Sequence, residues 1–211
     1  MTNKPFFSVI VPEHNAAKWM RKGLASIRNQ TFKDFELIII CDSCEDDTAK
    51  IALNYADKLY NVRYQSCGKS RNQGLYAAEG EWILFMDDDD WWADKKAFKK
   101  IHDEIVKDDN FDVLAFGFVF GDRGDTFQHE GRRYPAIWNK AWKREFIERI
   151  GARFPEVPHS DDVGFAEATH GKARFRYLHE VLYYYNYMRV GSITQKLATG
   201  ELKTLEEMGL R

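Results

Sequence analysis

The sequence contains only three cysteines, five prolines and no long run of hydrophobic residues. Three cysteines are an odd number, which excludes a fully paired disulfide framework and suits a reducing compartment. The longest apolar run, residues 113–120, has eight residues, whereas a helix that crosses a membrane needs about 20. The first seven residues lack the hydrophobic region of a secretory signal, so we expect a cytoplasmic protein.

An excess of charge of either sign is also absent. The 31 basic and 33 acidic side chains leave a formal net charge of -2, which argues against nucleic acid as the main partner. A chain of 211 residues can bury its own hydrophobic core, and we expect a single domain over residues 1–211.

What the sequence does contain is a run of four aspartates, Asp87–Asp90, directly after the apolar segment Trp82–Phe85. Two like charges about 4 Å apart at an effective dielectric constant of about 20 repel by about 4 kcal/mol. Such a cluster therefore needs protons, a wide spacing or a bound cation. Mg²⁺ and Mn²⁺ accept one or two carboxylates and complete their coordination with water and substrate phosphates. The run predicts a site for a divalent ion and a nucleotide diphosphate, and the alternative interpretation is a solvated acidic loop.

Apolar runs alternate with helical periodicity through residues 7–85, which predicts a mostly parallel sheet flanked by helices. The predicted strands cover residues 7–11, 35–41, 62–64 and 82–85, and Pro12 is expected to end the first of them. The predicted helices in this part cover residues 19–27, 46–59 and 70–78. Further along the chain we expect helices over 95–106 and 143–150 and a strand over 181–188.

In a sheet of this order, ligands bind at the carboxyl ends of the strands. Lys69 and Arg71 supply cations for phosphate groups, and Asp42 can accept hydrogen bonds from a base or a ribose. Ordinary surface charge is the alternative for the two cations. The candidate residues that follow the first three strands are Pro12, Glu13, Asn15, Asp42, Lys69 and Arg71.

Two of the cysteines, Cys41 and Cys44, have CxxC spacing at a predicted strand-to-helix junction. The pair could act in redox chemistry, or form half of a zinc site together with His14 or Cys67. Both interpretations stay alternatives, because the sequence has no second CxxC pair.

Several short motifs follow one another along residues 6–195: Ser8–Pro12, Asn29–Phe32, Arg71–Leu75, Gly80–Ile83, Phe85–Trp91, Trp138–Lys140, Ser160–Phe165 and Ser192–Thr194. In this order and at this spacing, they resemble the GT-A-fold family 2 glycosyltransferases. The resemblance implies an α/β fold, in which a Rossmann-like nucleotide-binding sheet with helices on both faces is continuous with a smaller acceptor-binding lobe. It divides the domain into a nucleotide-sugar-binding half, about residues 1–90, and an acceptor-binding half, about residues 91–211.

For the nucleotide, the resemblance implies that Asp42 contacts the uracil ring, that Arg71 lines the nucleotide pocket and that Arg189 lies near the diphosphate. Three departures from the family pattern fall in the same region. Cys41 stands where the family often has another aspartate, Cys44 replaces a serine, and the pair Glu13–His14 replaces a small residue and a tyrosine.

For the metal, the resemblance implies that Asp87 and Asp89 form the DxD pair, which binds Mn²⁺ or Mg²⁺. The first aspartate of such a pair tends toward the ribose or the water of the ion, and the last coordinates the ion and the diphosphate. Asp88 lies between them and is expected to contribute to the nucleotide-sugar site.

For the acceptor, the resemblance implies that Asp162 is the general base, with Asp161 beside it where the family usually has a glutamate. Such a base accepts a proton while the hydroxyl attacks from the face opposite the departing diphosphate, so a single displacement inverts the configuration. His159 is a second candidate base. Acidic residues in the first turn of a helix are also favoured by its dipole alone, which is the alternative for both aspartates.

The predicted function is an inverting, metal-dependent glycosyltransferase that moves a sugar from a nucleotide diphosphate, expected to be UDP-linked, to a hydroxyl of a glycan or lipid-linked acceptor. Such a reaction belongs to surface polysaccharide synthesis, so we expect peripheral contact with the inner face of the membrane. One alternative is a non-catalytic module that binds nucleotide sugars or glycans. Another is a nucleotidyltransferase, which would need a glycine-rich basic loop where Pro12–Asn15 is acidic and lacks glycine.

Overall fold

A computed structural model of the chain describes residues 4–121, 126–127, 135–187 and 189–210. None of the helices in this described part has the length and apolar character needed to span a bilayer. The strands are β1 (Phe7–Glu13), β2 (Phe35–Asp42), β3 (Lys58–Val62), β4 (Trp82–Phe85), β5 (Trp91–Trp92), β6 (Val113–Phe120), β7 (Thr126–Phe127), β8 (Lys140–Lys143) and β9 (Phe175–Tyr185). The helices are α1 (Met20–Arg28), α2 (Thr48–Ala52), α3 (Cys67–Ala77), α4 (Ala97–Lys107), α5 (Arg144–Ile150), α6 (Asp161–His170) and α7 (Ile193–Ala198).

The described strands form one mixed sheet in the order β3-β2-β1-β4-β8-β6-β9-β5, with β7 beside β6. Strands β1 to β4 are parallel to one another, as the alternation of strands and helices predicted. Strand β8 pairs antiparallel with β4 and extends the sheet into the second half of the chain. The carboxyl ends of β1 to β4 therefore lie along one edge of a sheet that both halves share.

Helices cover both faces of this sheet, because successive side chains of a strand point to opposite sides. Val9 and Val11 of β1 pack in a core with Leu24 of α1, while Ile10 belongs to a second core with Phe146 of α5. Complete burial of a side chain of this size contributes about 1.5–3 kcal/mol, so each layer of helices is held by several such residues.

The predicted helix over residues 46–59 is wrong in its second half. Helix α2 ends at Ala52, and residues 58–62 form β3 beside β2. The Asn54 side chain donates to the carbonyl of Lys50, and the Asp57 carboxylate accepts the N–H of Leu37 at 2.7 Å. These contacts end the helix and hold the turn that follows it. For residues 58–62, pairing with the buried strand β2 then outweighs the local helical periodicity. The strand predicted over residues 62–64 therefore begins four residues earlier, at Lys58, and ends at Val62.

Other predicted boundaries differ by a few residues. Strand β1 continues through Pro12 to Glu13. Strand β4 pairs with β1 only as far as Ile10, so it does not need the backbone N–H that Pro12 lacks. Helix α3 begins at Cys67 rather than at Ser70, because the Ser66 side chain accepts the N–H of Lys69 and caps it. Strand β9 begins at Phe175, before the predicted residue 181, and ends at Tyr185, while Met188 lies outside the described residues.

Candidate active site

The carboxyl ends of the parallel strands open into a cleft of about 690 Å³. Most of the predicted donor-site residues line it, although they come from separate loops of the chain. Lys69 does not line the cleft, and its ammonium group pairs with Glu156 at 2.9 Å. The predicted residues that line the cleft are Pro12, Glu13, Asn15, Asp42, Arg71, Asp87, Asp88, Asp89 and Arg189.

A second cleft, of about 780 Å³, lies at the opposite edge of the sheet, where Trp82 begins β4. It is lined mainly by charged surface residues such as Lys107 and Glu148, and it contains none of the predicted site residues. The edge at the carboxyl ends of the strands is therefore the candidate site.

Asp42, at the end of β2, holds the loop that leads into α3. Its carboxylate accepts hydrogen bonds from the backbone N–H groups of residues 64–66, at 2.7, 2.9 and 3.0 Å, and from the hydroxyl groups of Ser43 and Ser70. Burial raises the pKa of Asp42, but the hydrogen bonds outweigh burial and leave the pKa below its usual value. A contact between Asp42 and a base stays a prediction, and it would have to share these oxygens.

Arg71 of α3 connects the loop after β4 with the start of α6. Its guanidinium group donates to Asp87 at 2.6 Å and to Asp161 at 2.5 Å, and the residue is only 6% exposed. Removing one partner of such a buried ion pair costs about 3–5 kcal/mol, because the other charge is left without compensation. The sequence predicted each of these three residues separately, and the structure joins them in one network.

The four aspartates after β4 have different surroundings. Asp87 pairs with Arg71, and Asp89 accepts from Nε of Arg189 at 2.5 Å. Asp90 is 1% exposed and accepts from the hydroxyl of Tyr183 at 2.7 Å and from the backbone of Asn186 at 2.8 Å. Asp90 is thus held within the protein, while its three neighbours line the cleft.

Asp88 and Glu13 line the cleft and form no ion pair among the described residues. Burial, and then the charge of Asp89, raises the pKa of Asp88 to about 8. Glu13 is 1% exposed, and neither of its carboxyl oxygens has a hydrogen-bond partner among the described residues. Burial, and then the charge of Asp88, raises the pKa of Glu13 well above its usual range. The position of Glu13 after the first strand predicted that it is near the site, but no local pattern indicated that it lacks a partner.

Asp162 lies in the first turn of α6, beside the Arg71 network. Its Oδ1 accepts the N–H of Val163 at 2.9 Å. Burial raises the pKa of Asp162 to about 6; Arg71 opposes this shift, while Asp161 and Asp87 add to it. A carboxylate with a pKa near the working pH is well suited to general base catalysis.

His159, the other candidate base, is engaged on both sides of its ring. Its Nε2 contacts the carbonyl of Lys203 at 2.8 Å and its Nδ1 contacts the hydroxyl of Ser160 at 2.9 Å. Since the residue is also 5% exposed, neither nitrogen is available to an acceptor without a rearrangement. The geometry favours Asp162 over His159.

Backbone strain marks the same region and was not foreseen from the sequence. Four non-glycine residues of the described chain have a positive φ: Asn15 at 49°, Ser43 at 53°, Gln65 at 51° and Ser160 at 58°. Asn15 and Gln65 line the cleft, Ser43 donates to Asp42, and Ser160 precedes the first residue of α6. Such conformations cost about 1–3 kcal/mol each and concentrate at functional sites.

The cysteines do not form a zinc site with the proposed partners. All three are free thiols, and Nδ1 of His14 contacts the carbonyl of Asp42 at 2.7 Å. Within the described ranges, no three His, Cys, Asp or Glu side chains are arranged to hold a metal ion by themselves. A divalent ion in the cleft would therefore take part of its coordination from water and phosphate oxygens.

Solved structures share this fold. Residues 1–349 of S. aureus TarS, in complex with UDP-GlcNAc, match with a TM-score of 0.81 and 25% identity over 90% of this chain and 60% of that chain. The mannosyltransferase PcManGT from Pyrobaculum calidifontis, in complex with GDP-Man and Mn²⁺, matches with a TM-score of 0.68 and 21% identity over 87% of this chain and 57% of that chain. The predicted GT-A fold is confirmed.

Relatives by sequence cover different parts of the chain. EpsH of Bacillus subtilis is 30% identical in an alignment that covers 98% of this chain and 66% of EpsH. The GalNAc(5)-diNAcBac-PP-undecaprenol beta-1,3-glucosyltransferase of Campylobacter jejuni is 38% identical in an alignment that covers 41% of this chain and 30% of that protein. The chain thus spans two thirds or less of the length of these two relatives.

The model of the family described as Glycosyl transferase family 2 matches residues 8–169. This match includes the four parallel strands, the acidic run and the pair Asp161–Asp162. Because it covers more than half of the 211 residues, the chain belongs to glycosyl transferase family 2.

Proposed function

We propose that the chain is an inverting glycosyltransferase, which moves a sugar from a nucleotide diphosphate donor to an acceptor hydroxyl with the help of a divalent ion. One observation carries the proposal. Arg71 holds the acidic loop of the donor cleft, through Asp87, against the start of α6, where Asp162 is the candidate base. This network brings the start of α6 close to the cation-binding edge, as displacement of a diphosphate requires, although Asp162 itself is not among the residues that line the cleft.

On the donor side, the cleft combines basic and acidic groups. Arg71 and Arg189 line it together with Lys196, and their guanidinium groups suit phosphate oxygens. A UDP-linked donor is supported by the position of Asp42 and by TarS, whose structure contains UDP-GlcNAc. Pro12 and Asn15 complete this wall of the cleft.

The carboxylates of the cleft suit Mg²⁺ or Mn²⁺. Asp87, Asp88 and Asp89 line it together, and the orphaned oxygens of Glu13 show that acidic groups there exceed the cations of the described chain. The ion would be held by Asp89 and Asp87 and would neutralise negative charge on the leaving diphosphate. The Mn²⁺ in the PcManGT structure supports this choice.

On the acceptor side, Asp162 accepts the proton of the attacking hydroxyl. The hydroxyl oxygen forms a bond to the anomeric carbon while the bond from that carbon to the diphosphate oxygen breaks on the opposite face, so the configuration inverts. Asp161, paired with Arg71, keeps that arginine from pairing with Asp162. The acceptor would be a glycan or a lipid-linked saccharide at the inner face of the membrane, a choice supported by the name of the Campylobacter relative.

The proposal is tested with a panel of nucleotide sugars, by measuring release of the nucleotide diphosphate with Mn²⁺ present. We expect turnover of one donor, and a loss of at least about 100-fold in Asp162→Asn with the donor Kd unchanged, because only the base is removed. Glu145→Gln is the matched control, since Glu145 occupies the first turn of α5 outside the cleft. Donor binding without turnover in the wild type would instead favour a binding module, and unchanged turnover in Asp162→Asn would contradict the assigned base.

A further inference from the structure

Glu13 is a buried acidic group with no partner in the described chain. It is the last residue of β1, it is 1% exposed, and both of its carboxyl oxygens lack a hydrogen-bond donor there. A buried polar group without a partner is costly, and a buried charge is more so, which is why such groups are rare in folded proteins. A group of this kind at a cleft wall indicates a partner that comes from outside the chain.

The charges around Glu13 add to the cost of leaving its carboxyl group without a partner. Those that act on it most are Asp88, Asp89, Asp46 and the thiol of Cys44, and all of them oppose its ionisation. The cations that line the cleft are engaged elsewhere: Arg71 with Asp87 and Asp161, Arg189 with Asp89, and Lys196 with Glu201 at 3.6 Å. A positively charged partner from outside the chain would supply the missing contact to Glu13 and also offset the repulsion by its acidic neighbours.

A second buried glutamate shows how this chain treats a carboxylate that binds no ligand. Glu36 of β2 is 8% exposed, and it accepts from the hydroxyl of Ser8 at 2.6 Å and from the backbone of Glu79 at 2.7 Å. Lys58 pairs with its other oxygen at 2.8 Å. Glu36 is fully satisfied by protein groups, so the lack of partners at Glu13 is specific to its position at the cleft.

We infer that Glu13 is an additional carboxylate for the divalent ion that Asp87 and Asp89 are proposed to hold, either directly or through water on the ion. This inference rests on the proposed function. Hard divalent cations prefer carboxylate oxygens, and all three side chains line the same cleft. Asp89 would exchange Arg189 for the ion, and phosphate oxygens would complete the coordination, since no three ligand side chains of the described residues enclose an ion as they stand.

The inference is tested by binding of Mn²⁺, measured by calorimetry and electron paramagnetic resonance with and without UDP, and by thermal unfolding. For Glu13→Gln we expect Mn²⁺ affinity to fall by about tenfold or more, the size of loss seen when a supporting ligand is removed. We also expect the metal-free variant to have a higher melting temperature than the metal-free wild type, because a buried carboxyl that its neighbours repel is gone. Addition of Mn²⁺ should raise the melting temperature less in the variant than in the wild type.

Glu36→Gln is the matched control. It should lower the melting temperature without metal, because it breaks an ion pair with Lys58, and it should leave Mn²⁺ affinity unchanged. Equal Mn²⁺ affinity in Glu13→Gln and the wild type would overturn the inference alone and show that a proton, not an ion, neutralises Glu13. A wild type that binds no Mn²⁺ even with UDP would overturn both the inference and the metal part of the proposed function.

Discussion

At the scale of single residues, the run of aspartates shows how neighbours in sequence are given different surroundings. The partner of Asp87 is 16 positions away, that of Asp90 is 93 positions away and that of Asp89 is 100 positions away. Local spacing indicated an acidic loop at the end of a strand. It did not indicate which aspartate would be locked inside the protein, because that depends on Tyr183 and Arg189 from the far end of the chain.

The pKa of Asp162, about 6, leads to a prediction on pH. The base must be ionised to accept a proton, so kcat/KM should fall about tenfold per pH unit below about 6 and level off above it. In Asp161→Asn this fall in kcat/KM should begin at a lower pH. The change removes a neighbouring negative charge and releases Arg71 toward Asp162, and both effects lower the pKa of Asp162.

The measurement is a pH–rate profile from pH 5 to 8, with the Kd of the donor determined at each pH as the control. The assignment of Asp162 would be contradicted if kcat/KM did not change over this pH range, or if its fall at low pH only reflected a rise in the Kd of the donor.

At the scale of elements, close approach between α3 and the sheet depends on a glycine. A Cβ added at Gly74 would lie 2.3 Å from Cγ2 of Ile10 and 3.1 Å from Cδ1 of Ile40. Both isoleucines are completely buried in the core between the sheet and the helices, so neither can move without disturbing its neighbours. The same helix carries Arg71, and its distance from the sheet sets where the guanidinium group lies.

We therefore expect Gly74→Ala to destabilise the protein by about 1–3 kcal/mol through overpacking, measured by urea denaturation. Gly171→Ala is the control, because this glycine at the end of α6 has a φ of -72° and no described atom within 4 Å of an added Cβ. There the change should be neutral or stabilising by about 0.4–1 kcal/mol. Equal destabilisation by both changes would contradict the claim that overpacking against Ile10 and Ile40 is responsible.

At the scale of the whole molecule, a shared sheet and the ion pairs of Arg71 are among the contacts that join the two halves. Strand β8 continues the sheet from β4, and Arg71 links the loop after β4 with α6 by contacts between residues 90 positions apart. The donor cleft and the candidate base are therefore linked through one side chain. A substrate that draws Arg71 toward its phosphates would change the electrostatic surroundings of both.

Arg71→Met, which keeps the length but removes the charge, should destabilise the protein by about 3–5 kcal/mol, because Asp87 and Asp161 lose their buried partner. Lys69→Met is the matched control on the same helix, since Lys69 pairs with exposed Glu156 and should contribute at most about 1 kcal/mol. Urea denaturation at pH 7 compares the two. A loss in Arg71→Met no larger than that in Lys69→Met would contradict the linking role of Arg71.

Much of the fold was predictable from the sequence because its signals are local. The apolar segments before Pro12, Asp42 and Asp87 and the helical periods between them indicated the parallel sheet and its edge of polar residues. The turn at Asp57 was not predictable, since the helical pattern of residues 46–59 competes with pairing to β2, which the sequence does not display. The left-handed backbone of Ser160 was missed for the same reason, because serine by itself does not favour a positive φ.

The sequence by itself determined the order of strands and helices over residues 7–85, the placement of the acidic run and the family, since each rests on residues close together in the chain. Only the tertiary structure decided that Arg71 lies between Asp87 and Asp161, that Asp90 is turned inward and that Glu13 is left without a partner. The reason is physical: the ionisation and pairing of a side chain depend on burial and on charges within a few ångströms, and these come from distant parts of the chain.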